Sequence, residues 1–318
     1  QFARAIIMPN LKPPVTTVDL AKSYQSRINA NLKTLGIAGF TPLMTLYLTD
    51  NTSAAEVKKA KEQGVVAFKL YPAGATTNSD AGVTDLKKCS AALEAMEVCG
   101  IPLLVHGEVT GIEVDIFDRE SVFIDQVLEP LRARHPGLKI VFEHITTKQA
   151  AAYVRDADTT RYGLIGATIT PQHMLFNRNA IFTGGIRPHF YCLPVLKREE
   201  HREALVQVAI SGNSRFFLGT DSAPHVKGTK ENACGCAGCY TAWHAMPLYA
   251  EAFEKAGALD RLQGFASEFG ADFYGLPRNT NKLVLKKEPQ LIPDEFPMGR
   301  DTVVPLRAGE MMAWSIVG

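Results

Sequence analysis

No stretch of the 318 residues is apolar over the ~18–20 positions needed to cross a bilayer, so no membrane span is expected. Neither sign of charge dominates. The 34 Lys and Arg are met by 33 Asp and Glu, which argues against nucleic acid or an anionic membrane surface as the main partner. The first strand-to-helix turn has no Gly-rich phosphate fingerprint. No repeat of fixed period is visible, which excludes a solenoid. A disulfide framework is missing too. Cys89, Cys99 and Cys192 are scattered, while Cys234, Cys236 and Cys239 are bunched. A chain of this length needs no staples, so reduced thiols in a soluble intracellular protein are expected, in the cytoplasm or in the matrix of a mitochondrion or plastid. An initiator Met is also absent. The chain opens on Gln1, and an upstream segment is expected.

What is present is a globular composition, 46% hydrophobic and 21% charged. Short apolar runs alternate with amphipathic helical stretches. The runs are Ala5–Met8, Pro42–Leu48, Val65–Leu70, Pro102–His106, Lys139–His144, Leu164–Ile169 and Arg215–Thr220. Most are apolar throughout, the pattern of parallel strands covered on both faces. Between them, Leu20, Tyr24, Ile28 and Leu32 recur every four residues. Ser53 and Glu56 suggest a capping box, and Gly64 a helix stop. Further stripes run through Val122, Phe123, Val127, Leu128 and Leu131, and through Ala204, Leu205, Val208 and Ala209.

Strand alternating with helix implies βαβ units and a parallel sheet. Seven units fall one short of a closed barrel. The expected fold is therefore an α/β, (β/α)8 TIM barrel over residues 1–276 whose first strand lies upstream of residue 1. Residues 277–318, broken into short Pro-rich pieces and a final Val303–Val317 stretch, read as a C-terminal extension packed on the barrel. Without a further strand the barrel has two edges, at Ala5–Met8 and Arg215–Thr220. A strand from elsewhere is expected to cover them.

In such barrels the chemistry gathers at the C-terminal ends of the strands. Asn10, Lys69, His106, His144, Thr170 and Asp221 stand at or just beyond those ends. Each has an ordinary alternative: a hydrogen-bonded core histidine, a lysine reaching for water, an aspartate capping the next helix. Converging on one barrel mouth, two histidines and a carboxylate suit Zn²⁺ better than Mg²⁺ or Ca²⁺. Lys69, between Phe68 and Leu70, is expected to be desolvated, which favours its neutral amine. Such an amine can add CO2 and become a carbamate, an anionic oxygen donor.

The segments MPNLKPPVTT (8–17), FKLYPAGATTNS (68–79), LLVHGEVT (103–110), FEHITTK (142–148), ATITPQH (167–173), YCLPVLKR (191–198), LGTDSAPH (218–225) and CGCAG (234–238) resemble the dihydroorotases, in particular the single-function type of bacteria and plants. The resemblance continues through FYGLPRN (273–279) and the Ala308–Trp314 stretch. It places the chain in the amidohydrolase superfamily. It implies interconversion of N-carbamoyl-L-aspartate and L-dihydroorotate in pyrimidine synthesis, with two zinc ions per subunit. It further implies that Lys69 is the bridging carbamate, that His106 and His144 ligate the more buried metal, and that Asp221 ligates the other and acts as general base and acid. Asn10 and His225 would hold the substrate carboxylate. Backbone groups of Leu193, Ala237 and Gly238 would address the ring, and Thr76 and Thr77 would sit on a closing loop. A homodimer is implied as well.

The resemblance has one gap. Members end their first strand in His-x-His followed by an Arg, and no two of the eight histidines here stand two apart. That motif is expected upstream of Gln1. Without it, residues 1–318 are expected to hold at most one zinc tightly. The alternatives are another cyclic amidohydrolase, such as a dihydropyrimidinase or hydantoinase, and a catalytically inactive scaffold subunit. The Cys234–Cys239 cluster reads as a loop rather than a zinc knuckle, and Gly184-Gly185 as a turn. His135, His201 and His244 fall in or beside helices and receive no role. His173 and His189 are expected in loops near the barrel mouth.

Overall fold

All seven apolar runs form strands, and the strands lie in the sheet in the order of the sequence, all parallel. The computed structural model describes residues 1–317. Along the chain, β1 (Arg4–Ile7) is followed by α1 (Val18–Thr34), β2 (Thr41–Tyr47), α2 (Ala54–Glu62), β3 (Ala67–Leu70), α3 (Ser90–Cys99) and β4 (Leu103–His106). Next come α4 (Arg119–Phe123), a π-helical segment (Ile124–Leu128), α5 (Glu129–Arg134), β5 (Ile140–Glu143), α6 (Lys148–Arg155), β6 (Ile165–Ile169) and α7 (Pro171–Leu175). The series closes with α8 (Glu199–Ile210), β7 (Phe216–Leu218), α9 (Lys227–Lys230), α10 (Ala245–Lys255) and α11 (Phe269–Tyr274).

Side chains alternate across a strand, so each strand of a covered sheet has an outer and an inner set. Leu46, Phe68, Leu103, Val105, Ile140, Phe142 and Phe216 face outward into the main core with the helices. Ala67, Leu104, Val141 and Phe217 face inward and form a cluster of their own, on which Ile6 and Met8 also pack. Strands β1 and β7 stand at opposite ends of the strand order yet share that inner cluster, so the sheet curls round on itself. The fold is an α/β barrel of the TIM type.

Among the described residues no other strand pairs with β1 or β7. The expected covering strand is thus not found among them. Phe269, Phe273 and Tyr274 of α11 pack instead against the inner cluster, with the Phe273 ring 5.3 Å from that of Phe217. An aromatic ring serves as well as a strand to shield apolar surface, although it cannot satisfy the edge hydrogen bonds.

Two local expectations are corrected. Ser53 does cap α2, accepting from Glu56 N at 3.1 Å, but Glu56 does not return the bond. Its carboxylate accepts instead from Val18 N of α1 at 2.6 Å, because the two helix N-termini lie side by side. On α1, Tyr24 and Ile28 of the expected stripe do pack on the main core, but Leu20 is 40% exposed and Val18 and Ala21 are the buried residues. A helix turns every 3.6 residues, so a four-residue repeat drifts off any fixed face.

Beyond α11 the chain forms six short strands: β8 (Val284–Lys286), β9 (Gln290–Leu291), β10 (Phe296–Met298), β11 (Asp301–Val303), β12 (Met311–Met312) and β13 (Ser315–Val317). They pair antiparallel as β8–β13, β9–β12 and β10–β11. This segment is fastened to α10 through Arg307 on Glu251 at 2.6 Å and Trp314 Nε1 on Glu254 at 3.0 Å. No described helix is long and apolar enough to cross a membrane.

Glu120 in α4 fixes the chain just past β5. It is fully buried, and its carboxylate accepts from the backbone N–H and the hydroxyl of both Thr146 and Thr147 at 2.5–3.0 Å. Glu120→Ala leaves those buried donors unpaired. It should lower unfolding stability by roughly 2–4 kcal/mol, read from urea denaturation, with Glu120→Gln losing less.

Candidate active site

The inner face changes character toward the strands' C-terminal ends. One layer holds Ala67, Leu104, Val141 and Phe217. The next inward positions on β3, β4 and β5 are Lys69, His106 and Glu143, two residues further along each strand. Lys69 and His106 are each 1% exposed and Glu143 is 8% exposed. Charge buried this deeply needs partners. Lys69 Nζ is bonded to Glu143 Oε2 and lies 5.0 Å from the centre of the Tyr71 ring. His106 Nε2 pairs with Glu108 Oε2 at 2.7 Å.

His144 follows Glu143 directly, and strict alternation would send it outward. It does not go there, because its φ is +44°. The left-handed turn swings its ring to 4.9 Å from that of His106. Its backbone N–H donates to Thr168 Oγ1 at 2.7 Å, while its buried Nδ1 has no hydrogen-bond partner. Burial, helped by the positive charge of Lys69, holds the His144 pKa well below the ordinary imidazole value. The neutral ring is the form that ligates metals.

Asp221, beyond β7, also has positive φ, +45°. It retains a partly open surface at the mouth, but burial of its carboxyl raises the pKa from 3.8 to about 7. Lys69 opposes that rise and Glu143 adds to it.

A second group lies at the rim. Asn10 Nδ2 donates to Thr77 O at 3.2 Å, Thr77 Oγ1 to Ala237 O at 3.4 Å, and His225 Nε2 to Ala237 O at 3.0 Å. Thr76 is held within its loop by Ser79, whose Oγ accepts from Thr76 N at 2.9 Å. Gly238 N–H donates to Tyr191 O at 3.0 Å, which brings the strip carrying Leu193 alongside Ala237 and Gly238. Gly238 has φ +150°, and a Cβ there would stand 2.9 Å from the His225 ring. Only glycine lets these two segments approach.

The expected site residues thus fall into two connected sets: Lys69, His106, His144 and Asp221 around the inner face, and Asn10, Thr77, His225, Ala237, Gly238 and the Leu193 strip at the rim. Thr170 stays out of both, since its hydroxyl caps α7 and bonds His173 Nδ1 at 2.7 Å. His173 is in α7 rather than in a loop, buried and bonded to Pro194 O at 2.9 Å. Sequence reasoning missed Glu143, Glu108 and Tyr71. The alternation along β5, which puts Glu143 in phase with Val141, is the signal that marks it.

For a metal the donors are a partial fit. Among the described residues no three His, Cys, Asp or Glu side chains come together as a ready cage. Two imidazoles do converge, one with an orphaned Nδ1, and the third group beside them is Lys69. That set completes a cage only if the lysine carries an acidic oxygen.

Comparison with known proteins accords with this geometry. Residues 2–306 match the amidohydrolase family. The dihydroorotase of Cupriavidus pinatubonensis is 67% identical over 315 residues, covering 99% of this chain and 90% of that protein. That of Ralstonia pickettii is 66% identical over 320 residues, covering 100% and 91%. Among solved structures, the Campylobacter jejuni dihydroorotase superposes with TM-score 0.88 at 37% identity, covering 99% of this chain and 88% of that one. The Saccharomyces cerevisiae enzyme, solved in complex with 5-fluoroorotic acid, gives 0.89 at 32%, covering 99% and 89%. A D-hydantoinase shares the fold alone, at 13% identity and TM-score 0.67. The chain belongs to the amidohydrolase family, in its dihydroorotase branch. That branch comprises hydrolases acting on cyclic amides, and the hydantoinase alternative is not favoured.

The raised Asp221 carboxyl makes a testable statement about stability. Between about pH 4 and 7 the folded, metal-free chain keeps a proton that the unfolded chain releases, so stability falls as pH rises through that window. Asp221→Asn should remove this loss: metal-free variant and wild type should converge near pH 4, and the variant should be the more stable at pH 8 in urea unfolding.

Proposed function

We propose that this chain catalyses the reversible cyclisation of N-carbamoyl-L-aspartate to L-dihydroorotate in pyrimidine synthesis. The observation that carries the reading is the gathering of a buried lysine, two imidazoles and a proton-holding aspartate at the ends of separate strands. The identity to dihydroorotases supports it.

His106, His144 and Lys69 as a carbamate would hold one zinc ion. Lys69 and Asp221 would contribute to a second, giving two per subunit in an intact site. Zinc bound there would supply an acidified water and a Lewis acid for the ring carbonyl oxygen.

The chain's own groups then have these tasks. Water attacks the ring carbonyl carbon of dihydroorotate. Asp221 takes the proton of the attacking water and returns it to the departing ring nitrogen. Such proton transfer typically contributes about 10²–10⁴-fold. Asn10 and His225 hold the substrate carboxylate. Backbone groups of Leu193, Ala237 and Gly238 meet the ring edge, and the loop of Thr76 and Thr77 closes over the substrate and excludes water. Residues 277–318 serve as an extension of the 1–276 barrel, tied to α10. The six free cysteines favour a reducing, intracellular setting for a soluble homodimer.

Two variants test the reading in the full-length, metal-loaded protein. Lys69→Ala should abolish metal-dependent turnover, and added short carboxylic acids should restore part of it. An unmodified Lys69 in a high-resolution structure of the metal-loaded protein would remove the carbamate from the account. His225→Ala should reduce dihydroorotate turnover at least tenfold more than turnover of an uncharged cyclic imide. Equal losses would point to a general cyclic amidohydrolase.

A further inference from the structure

Lys230, the last residue of α9, is a buried ammonium beside the rim strip. It is 3% exposed. Its Nζ donates to three backbone carbonyls, Tyr191 O at 2.8 Å, Cys236 O at 2.7 Å and Gly238 O at 2.7 Å. An ammonium has three N–H donors, and here all three are spent on main chain. Burial lowers its pKa, with the thiols of Cys239, Cys192 and Cys236 acting the other way. The mechanism above gives this group no task.

We propose that Lys230 is a positioning residue that sets the ring-binding backbone of the active site. The proposal rests on the functional reading given above.

In a trans peptide the N–H points opposite to the C=O of the same unit. Cys236 O is pulled onto Lys230, so the Ala237 N–H is turned away from it, and it has no protein partner among the described residues. The Ala237 carbonyl, in the next unit, faces His225 and Thr77. The same ammonium holds Tyr191 O, two residues before Leu193, and Tyr191 O also accepts from Gly238 N–H. One cation therefore fixes the strip before Leu193 and the strip through Ala237 and Gly238 at a set separation. An apolar residue there would leave three carbonyls free to rotate, and the peptide planes with them. A carboxylate partner is not what holds this lysine: its acceptors are three main-chain carbonyls, and the N–H opposite one of them, Ala237 N–H, is left without a protein partner among the described residues.

Such a role affects binding of the ring more than the chemistry at the carbonyl. In the full-length, metal-loaded protein, Lys230→Met should raise KM for dihydroorotate and the Kd for orotate, which keeps ring and carboxylate, at least tenfold each. The kcat should stay within threefold. Lys230→Gln retains two of the three N–H donors and should fall between wild type and Met, and it is the variant to rely on if Met does not fold. A folded Gln variant with unchanged KM and Kd overturns the proposal. So does a fall in kcat at constant KM, the mark of a lost fraction of folded enzyme, and so does failure of both variants to fold, which would make Lys230 a stability residue. Wild-type protein that does not turn over dihydroorotate at all would refute the functional reading instead, and is separable on that ground.

Discussion

A lysine ammonium with almost no exposed surface must find polar partners, and Lys69 finds the carboxylate of Glu143 across the inside of the barrel. Much of the site follows from that need. The pair links β3 to β5, between which His106 on β4 is enclosed. Removing one member of a buried pair strands the other, at a typical loss of about 3–5 kcal/mol. The inner face therefore has two regimes. Its lower layer is apolar and self-sufficient, and its upper layer consists of groups that are stable only in combination.

The fold was largely legible in the sequence because buried parallel strands leave near-continuous apolar runs, and all seven were found within two residues at each end. Arg215–Thr220 contracted most, to Phe216–Leu218. Gly219 packs so closely against Thr168 that a Cβ would stand 2.5 Å from it, and regular pairing stops there. What a run cannot reveal is direction. His144 appears from its position to face the helices, and only its left-handed backbone turns it inward. Likewise Glu56 has the spacing of a capping box, yet bonds a neighbouring helix that local spacing cannot register.

The candidate site residues stand out in the sequence for a different reason. Ionisable groups at the ends of apolar runs stand out by contrast, which exposed Lys69, His106, His144 and Asp221. Glu143 was hidden beside a more conspicuous histidine. Lys230 was hidden because it lies in no run at all and bonds only to main chain, which carries no mark in the sequence. The rim residues were reached by resemblance and not by pattern. Their connection through a single carbonyl, Ala237 O, is a property of folded backbone.

The positive φ of His144 and Asp221 affects how substitutions at these positions are to be interpreted. Residues with a short polar side chain, Asn and Asp foremost, tolerate that conformation, and glycine adopts it freely, whereas alanine incurs about 1–2 kcal/mol of steric conflict. An alanine scan would therefore remove a side chain and distort a hinge of the main chain at once, and would overstate what the side chain contributes. Asparagine at His144 and glycine at either position separate the two effects. The apparent importance of each position would then divide into a part that belongs to its chemistry and a part that belongs to the bend in the chain that delivers it.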